Sequence, residues 1–189
     1  MKLLSPFYPW QTFNLLITDY GQSLTAPSLG WLLFLLKLPY LVFDLLGLWL
    51  IGRLVEGDKK LFQARILWLF NPVNLYATYM IAQFDIIIAV GLILALVLAS
   101  RGKYYSSAIA LGITAAFKPF PLLFLPFVAL VGGKNLLHQA KIALVGLIVY
   151  LLVIGPFLPS IGFRNSALLA SHTDKTLFAQ IPISGAFAI

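Results

Sequence analysis

Residues 104–133 read YYSSAIALGITAAFKPFPLLFLPFVALVGG, and this stretch decides the fold. It is apolar almost throughout, yet Lys118-Pro119-Phe120-Pro121 stands at its centre. Thirty residues are too many for one straight membrane span and too few for two, since a helix needs about 20 apolar residues to cross. A proline removes an amide donor and clashes with the preceding turn, so two prolines around one phenylalanine interrupt a helix. Two readings follow. One is a re-entrant pair of half-helices of about 14 and 12 residues. At 1.5 Å per residue these are roughly 21 and 18 Å long, short of a hydrocarbon core of about 30 Å. The other is a single kinked, tilted span.

The rest of the chain supports a membrane setting. Of 189 residues, 61% are hydrophobic and 10% charged, against about 45–50% and about 25% in soluble domains. That balance excludes a soluble enzyme, a disordered tail and a nucleic-acid-binding module. The net charge of +7 forms no basic run longer than Lys59-Lys60, so no nucleic-acid partner is expected. With no cysteine, and with His138 and His172 far apart, no metal site is expected. Helices are expected over 29–51, 61–80, 84–100, 104–117, 121–132 and 141–158. The fold class is therefore all-α: a polytopic transmembrane bundle of about four full spans plus the Pro-broken pair. Residues 1–28 read as an outer loop or tail, 29–160 as the transmembrane domain, and 161–189 as an outer loop or truncated C-terminal segment. The Tyr-, Trp- and Pro-rich start suits a membrane interface rather than a signal peptide. Both termini read as those of a piece of a longer protein.

Cytoplasmic loops are enriched in Lys and Arg. With Arg53–Arg65 inside, the re-entrant reading places Arg53, Lys59, Lys60, Arg65, Arg101, Lys103, Lys134 and Lys141 inside, against Lys2, Arg164 and Lys175 outside. The kinked span exchanges Lys134 and Lys141 for Arg164 and Lys175, and the balance is unchanged. Charge fixes the first three spans and leaves the rest open.

Four ionisable residues fall within expected helices: Lys37, Asp44, Asp85 and Lys118. Each costs about 2.5–3.5 kcal/mol at mid-helix, so each needs a partner or a function. Lys37 and Asp44 are too far apart along one helix to meet, and both are expected to face the bundle. Asp85 suits either a helix N-terminal cap or a carboxylate lining an outer cavity. Lys118 is either a structural cation, snorkelling or paired with Asp44, or an anion-binding group at a broken helix. Irregular backbone at membrane depth is tolerated where it is buried in protein or lines water. Asn71-Pro72 is expected to kink the second span. Asn71 and Asn74 share a helix face and serve either as glue between helices or as ligand contacts.

In this order, Ala64-Arg65, Leu67-Trp68-Leu69-Phe70-Asn71-Pro72-Val73 and Tyr76, then Ala82-Gln83-Phe84-Asp85, then Leu111-Gly112 and Phe117-Lys118-Pro119-Phe120-Pro121 resemble integral-membrane glycosyltransferases of the GT-C fold. Within these the chain is most similar to polyprenol-phosphate-mannose-dependent mannosyltransferases, the GPI mannosyltransferase type and bacterial relatives included. The likeness covers most of residues 7–160. It departs from the pattern at Ala82, where Gly is usual, and in lacking an alignable carboxylate in a first outer loop. Asp19 is the sole carboxylate before residue 44 and a weak candidate for the base.

The resemblance implies transfer of a hexose, mannose in this family, from a polyprenyl-phosphate donor to an acceptor on the outer side. It implies an enzyme of the plasma (inner) membrane or endoplasmic reticulum, the former preferred, with the bilayer and the lipid-linked sugar as partners, no resident cofactor, and a divalent-cation requirement left open. Lys118 is the candidate for the donor phosphate, and Asp85, Gln83 and Asn71 for sugar or acceptor contacts. A transporter or lipid flippase is the alternative, because transporters also use charged residues at broken helices. A non-catalytic scaffold is the third reading.

Overall fold

The structure is a computed structural model that describes residues 7–80, 84–164, 182–184 and 187–188. It is helical. The strands described are one short antiparallel pair, Pro182–Ser184 with Phe187–Ala188. Residues 1–28 are not loop throughout. Helix α1 spans Trp10–Thr18 and α2 spans Tyr20–Ser23. They dock on the start of α3 (Leu29–Ile51) through Thr12 and Ser28, 2.5 Å apart, and through the Trp31 indole N–H, which donates to the Phe7 carbonyl at 2.9 Å.

Helix α3 has the expected bounds: Ser28 opens it after Pro27 and Gly52 follows it. The expected span 61–80 is not one helix. It divides into α4 (Asp58–Leu69), a short α5 (Pro72–Asn74) and a π-helical segment, Leu75–Met80. The cause lies in Asn71-Pro72. A residue before proline is pushed out of the helical region, and Asn71 is extended (φ −65°, ψ 111°). Its side chain then caps the restart, accepting from the Val73 N–H at 3.0 Å and the Asn74 N–H at 3.4 Å, with Pro72 at the first helical position. The returning segment lies antiparallel to α3. Arg65 reaches Gly52, Trp68 covers Gly47, and Asn74 reaches Asp44.

Helix α6 (Asp85–Ser100) starts five residues after Met80 and packs along α3, with Ile86 and Val90 in one cluster with Tyr40, Phe43 and Leu50. It stops at Gly102, whose left-handed φ of 72° allows Lys103 N–H to return to the Leu98 carbonyl at 2.9 Å. The chain reverses into α7 (Tyr104–Ala115). Buried Ser107 donates to the Ala95 carbonyl at 2.8 Å, and Thr114 packs on Gly91, so α6 and α7 form an antiparallel hairpin.

After Ala115 the helix stops, as the two prolines require. A turn through Lys118 leads to a 3₁₀ segment, Phe120–Phe124, and then to α8 (Leu125–Gly132). Gly132 at the end of α8 packs against the Tyr104 ring at the start of α7. The two arms therefore fold back on each other, and Lys103 and Lys134 emerge at the same end. The contact at Gly132 separates the two arrangements that charge counting left equal. Helix α9 (Leu136–Ile154) follows, capped by Asn135, whose side chain accepts from the His138 N–H at 2.8 Å. A 3₁₀ turn, Gly155–Phe157, and a short α10 (Ile161–Phe163) close the described bundle.

Small residues set the centre. Ala95, Ala108, Ala110, Leu111, Leu125, Ala129 and Ile142 form one buried cluster, while Leu50, Ile86, Val90 and Val97 form a second between α3 and α6. Helices α7 and α9 touch backbone to backbone at Gly112 and Gly146, the close approach that small residues permit between membrane helices. Outside this core the molecule is apolar. Leu29–Ile51 and Leu136–Phe157 are long and apolar enough to cross a membrane, and only 22% and 17% of their most apolar stretches are buried. Core helices of a soluble protein would be mostly covered. Exposed Trp31, Phe34, Leu45, Trp49, Leu144 and Leu152 make the surface of a membrane protein.

Candidate functional site

Two polar clusters interrupt this apolar bundle. The first lies at the tip of the α7–α8 pair. Phe117 ends the turn after α7, and Pro119 and Pro121 prevent the chain from continuing as a helix. Lys118 therefore projects from the tip. Its ammonium forms an ion pair with Asp85 in the first turn of α6. Among the described residues the hydrogen-bond partner of the Asp85 carboxylate is Lys118. Lys118 pairs with Asp85 and not with Asp44. The two side chains keep 44% and 41% of their surface exposed. That exposure makes the pair a weak contributor to stability and leaves both groups open to a ligand.

Beside the tip, an apolar cavity of about 510 Å³ opens between the ends of α7 and α9, lined by Ile113, Phe117, Val153, Ile154, Phe157 and Phe163. A cation and a carboxylate thus stand next to a hydrophobic recess.

The second cluster is internal. Asp44 is buried (8% exposed) midway along α3. Its carboxylate accepts from the Tyr79 hydroxyl and from Asn74 Nδ2 at 3.4 Å, and Thr78 donates to Asn74 Oδ1 at 3.0 Å. Helix-to-helix glue is therefore the role of Asn74, while Asn71 spends its side chain on the α5 cap. Asn71 is not part of the tip cluster in its contacts. Tyr79 and Thr78 were not singled out from sequence. The available signal was Asn74, Thr78 and Tyr79 recurring at helical spacing in an otherwise uncharged run, with an orphan aspartate in the preceding helix. Replacing Asp44 by Ala is expected to cost about 1–3 kcal/mol, because the part-buried Tyr79 hydroxyl and Asn74 amide lose their charged acceptor. Asp44→Asn keeps an acceptor and is expected to cost less. Thermal unfolding of the purified variants checks both.

Lys37 is partly buried and makes no hydrogen bond or ion pair among the described residues. The expectation that it faces the bundle beside Asp44 holds clearly for Asp44 alone. Asp19 is exposed at the α1–α2 junction, where its carboxylate accepts from the Gln22 N–H at 3.1 Å. It lies near the start of α3 and makes no hydrogen bond or ion pair with Asp85 or Lys118 among the described residues. Gln83 lies outside the described residues. Among the described residues no three of His, Cys, Asp and Glu come together as metal ligands.

A family model for glycosyltransferase family 87 matches residues 5–175, nearly the whole chain. The chain belongs to glycosyltransferase family 87. No curated protein and no solved structure matches it. The match covers both polar clusters and the broken helix pair. It makes the chain a membrane glycosyltransferase that takes a sugar donor, and nothing found supports the transporter or flippase alternative.

Proposed function

We propose that this glycosyltransferase transfers a hexose, mannose in our reading, from a polyprenyl-phosphate donor to an acceptor hydroxyl on the outer side of a GT-C-like, multi-pass bundle in the plasma membrane. The observation that carries the reading is the half-exposed Lys118–Asp85 pair at the tip of a broken helix pair, beside an apolar recess. The acceptor oxygen would attack the anomeric carbon, and the bond from that carbon to the donor phosphate oxygen would break. The electron pair leaves with the phosphate, where Lys118 meets the developing charge. A carboxylate would take the acceptor proton. Asp19 is the candidate the described residues leave for it, and the proton transfer needs it within about 3 Å of the acceptor hydroxyl. Asp85, with Gln83, would hold sugar or acceptor hydroxyls and orient Lys118. The recess would receive isoprenoid carbons next to the phosphate. An orientation with the α7–α8 tip outward gives the loops at the opposite end the cationic excess expected of a cytoplasmic face.

Membranes containing the chain, given a synthetic polyprenyl-phosphate hexose labelled in the sugar, should release polyprenyl phosphate and label a lipid or glycan acceptor. A nucleotide-linked form of the same sugar should give no product when lipid-phosphate sugar synthesis is blocked. Transfer from the nucleotide sugar alone would refute the donor assignment.

A further inference from the structure

The opposite end of the α7–α8 pair carries a second cavity that the transfer reaction does not use. It measures about 420 Å³ and is lined by Lys103, Tyr104, Tyr105, Ser106, Lys134 and His138. The fold brings these together: Gly132 seats on Tyr104, so the connections before α7 and after α8 meet, and the Tyr105 and His138 rings lie 5.6 Å apart. Lys141 stands three residues after His138 on α9 and shares its face. No Asp or Glu occurs between Asp85 and Asp174 in the sequence, and neither Lys103 nor Lys134 forms an ion pair among the described residues. The cavity is thus a cationic recess with no internal counter-charge. The first turn of α7 also opens on it, and Lys103 makes no capping bond there.

The surroundings indicate which anion fits. Val131, Leu136 and Leu137, on the ends of α8 and α9 beside the cavity, are 74%, 82% and 65% exposed. A free anion would gain nothing from that apolar rim, whereas a phospholipid places acyl carbons against it and its phosphate in the recess. We infer that this cavity binds the headgroup of an anionic phospholipid of the cytoplasmic leaflet, a site separate from the Lys118–Asp85 tip. The inference rests on the membrane orientation proposed above. Basic pockets between helices on the cytoplasmic side are a recognised setting for such headgroups.

The test is lipid binding by native mass spectrometry, with the chain purified in neutral detergent. Phosphatidylglycerol and phosphatidylcholine of matched acyl chains are the probes. At about 1 kcal/mol per lysine near a membrane surface, K103Q and K134Q should each weaken phosphatidylglycerol about five-fold, and the double variant about 30-fold. Phosphatidylcholine should bind weakly to all forms. K103R/K134R should retain binding, and K59Q/K60Q, which removes equal charge away from the cavity, should leave it unchanged. If the double Gln variant fails to fold, the single variants carry the test. An equal loss in K59Q/K60Q would show diffuse surface attraction and overturn the site. Competition by inorganic phosphate at equal concentration would make it a free-anion site and overturn the lipid assignment. A chain extracted from membranes by alkali would defeat the membrane reading and this one together, whereas an inserted chain without phosphatidylglycerol preference would defeat this one alone.

Discussion

Replacing Lys118 by Met is expected to lower sugar transfer about 10²–10³-fold, the loss typical of deleting one charge-stabilising group from a transition state, while folded yield changes little. The second half of that expectation follows from exposure. An ion pair with side chains 44% and 41% exposed contributes little to stability, so its removal does not unfold the bundle. Asp85→Asn is expected to lower transfer less, because Lys118 keeps its charge but loses its anchor. The assay is transfer per unit of correctly folded, membrane-inserted protein. Equal loss of activity and yield in Lys118→Met would assign Lys118 a structural role and return the chain to the scaffold reading.

The second large effect concerns packing far from the tip. Gly112→Ala is expected to destabilise the protein by about 1–3 kcal/mol, the usual cost of overpacking. At roughly 2–4 °C per kcal/mol for a chain of this size, the unfolding midpoint should fall by about 2–12 °C. Helix propensity alone predicts the opposite, since Ala is favoured over Gly by about 1 kcal/mol within a helix. The difference is the neighbour. A methyl at residue 112 would meet the carbonyl of Gly146, which is backbone and cannot swing aside, whereas one at Gly30 in the first turn of α3 would meet nothing within 4 Å. Gly30→Ala is therefore the control, expected to leave stability unchanged or slightly raised. Similar midpoints for the two variants would mean that α7 and α9 do not approach as described.

These residues also show where the sequence was legible. The end of α7 before Pro119 was readable because proline acts locally, through its missing N–H and its ring. The bounds of α3 were readable from a long apolar run between Ser28 and Gly52. The break at Asn71-Pro72 was readable for the same local reason, yet the uncharged run from Ile66 to Phe84 still read as one kinked span rather than separate helices. Hydropathy measures composition and does not register which carbonyls have lost their partners. The α1 helix was missed because prolines and polar residues around it obscured its pattern.

The candidate site was legible in part. The cost of an unpaired charge singled out Lys118, Asp85 and Asp44 without any structure. Which aspartate takes which partner depends on the direction and register of α6 and of the π-helical segment, and no local pattern carries that information. Likewise, the balance of cations was the same for both arrangements of residues 104–133. The contact of Gly132 with Tyr104 distinguishes them, and it joins residues 28 positions apart.

The most direct test of the account is the sidedness of this helix pair in a sealed membrane. Single cysteines placed at positions 103, 118 and 134 of this cysteine-free chain are labelled with an impermeant maleimide. The account predicts that positions 103 and 134 react only from the cytoplasmic side and position 118 only from the outer side. Labelling of position 134 from outside would contradict it, because the segment would then cross the membrane once and Lys118 would no longer stand at an outer tip.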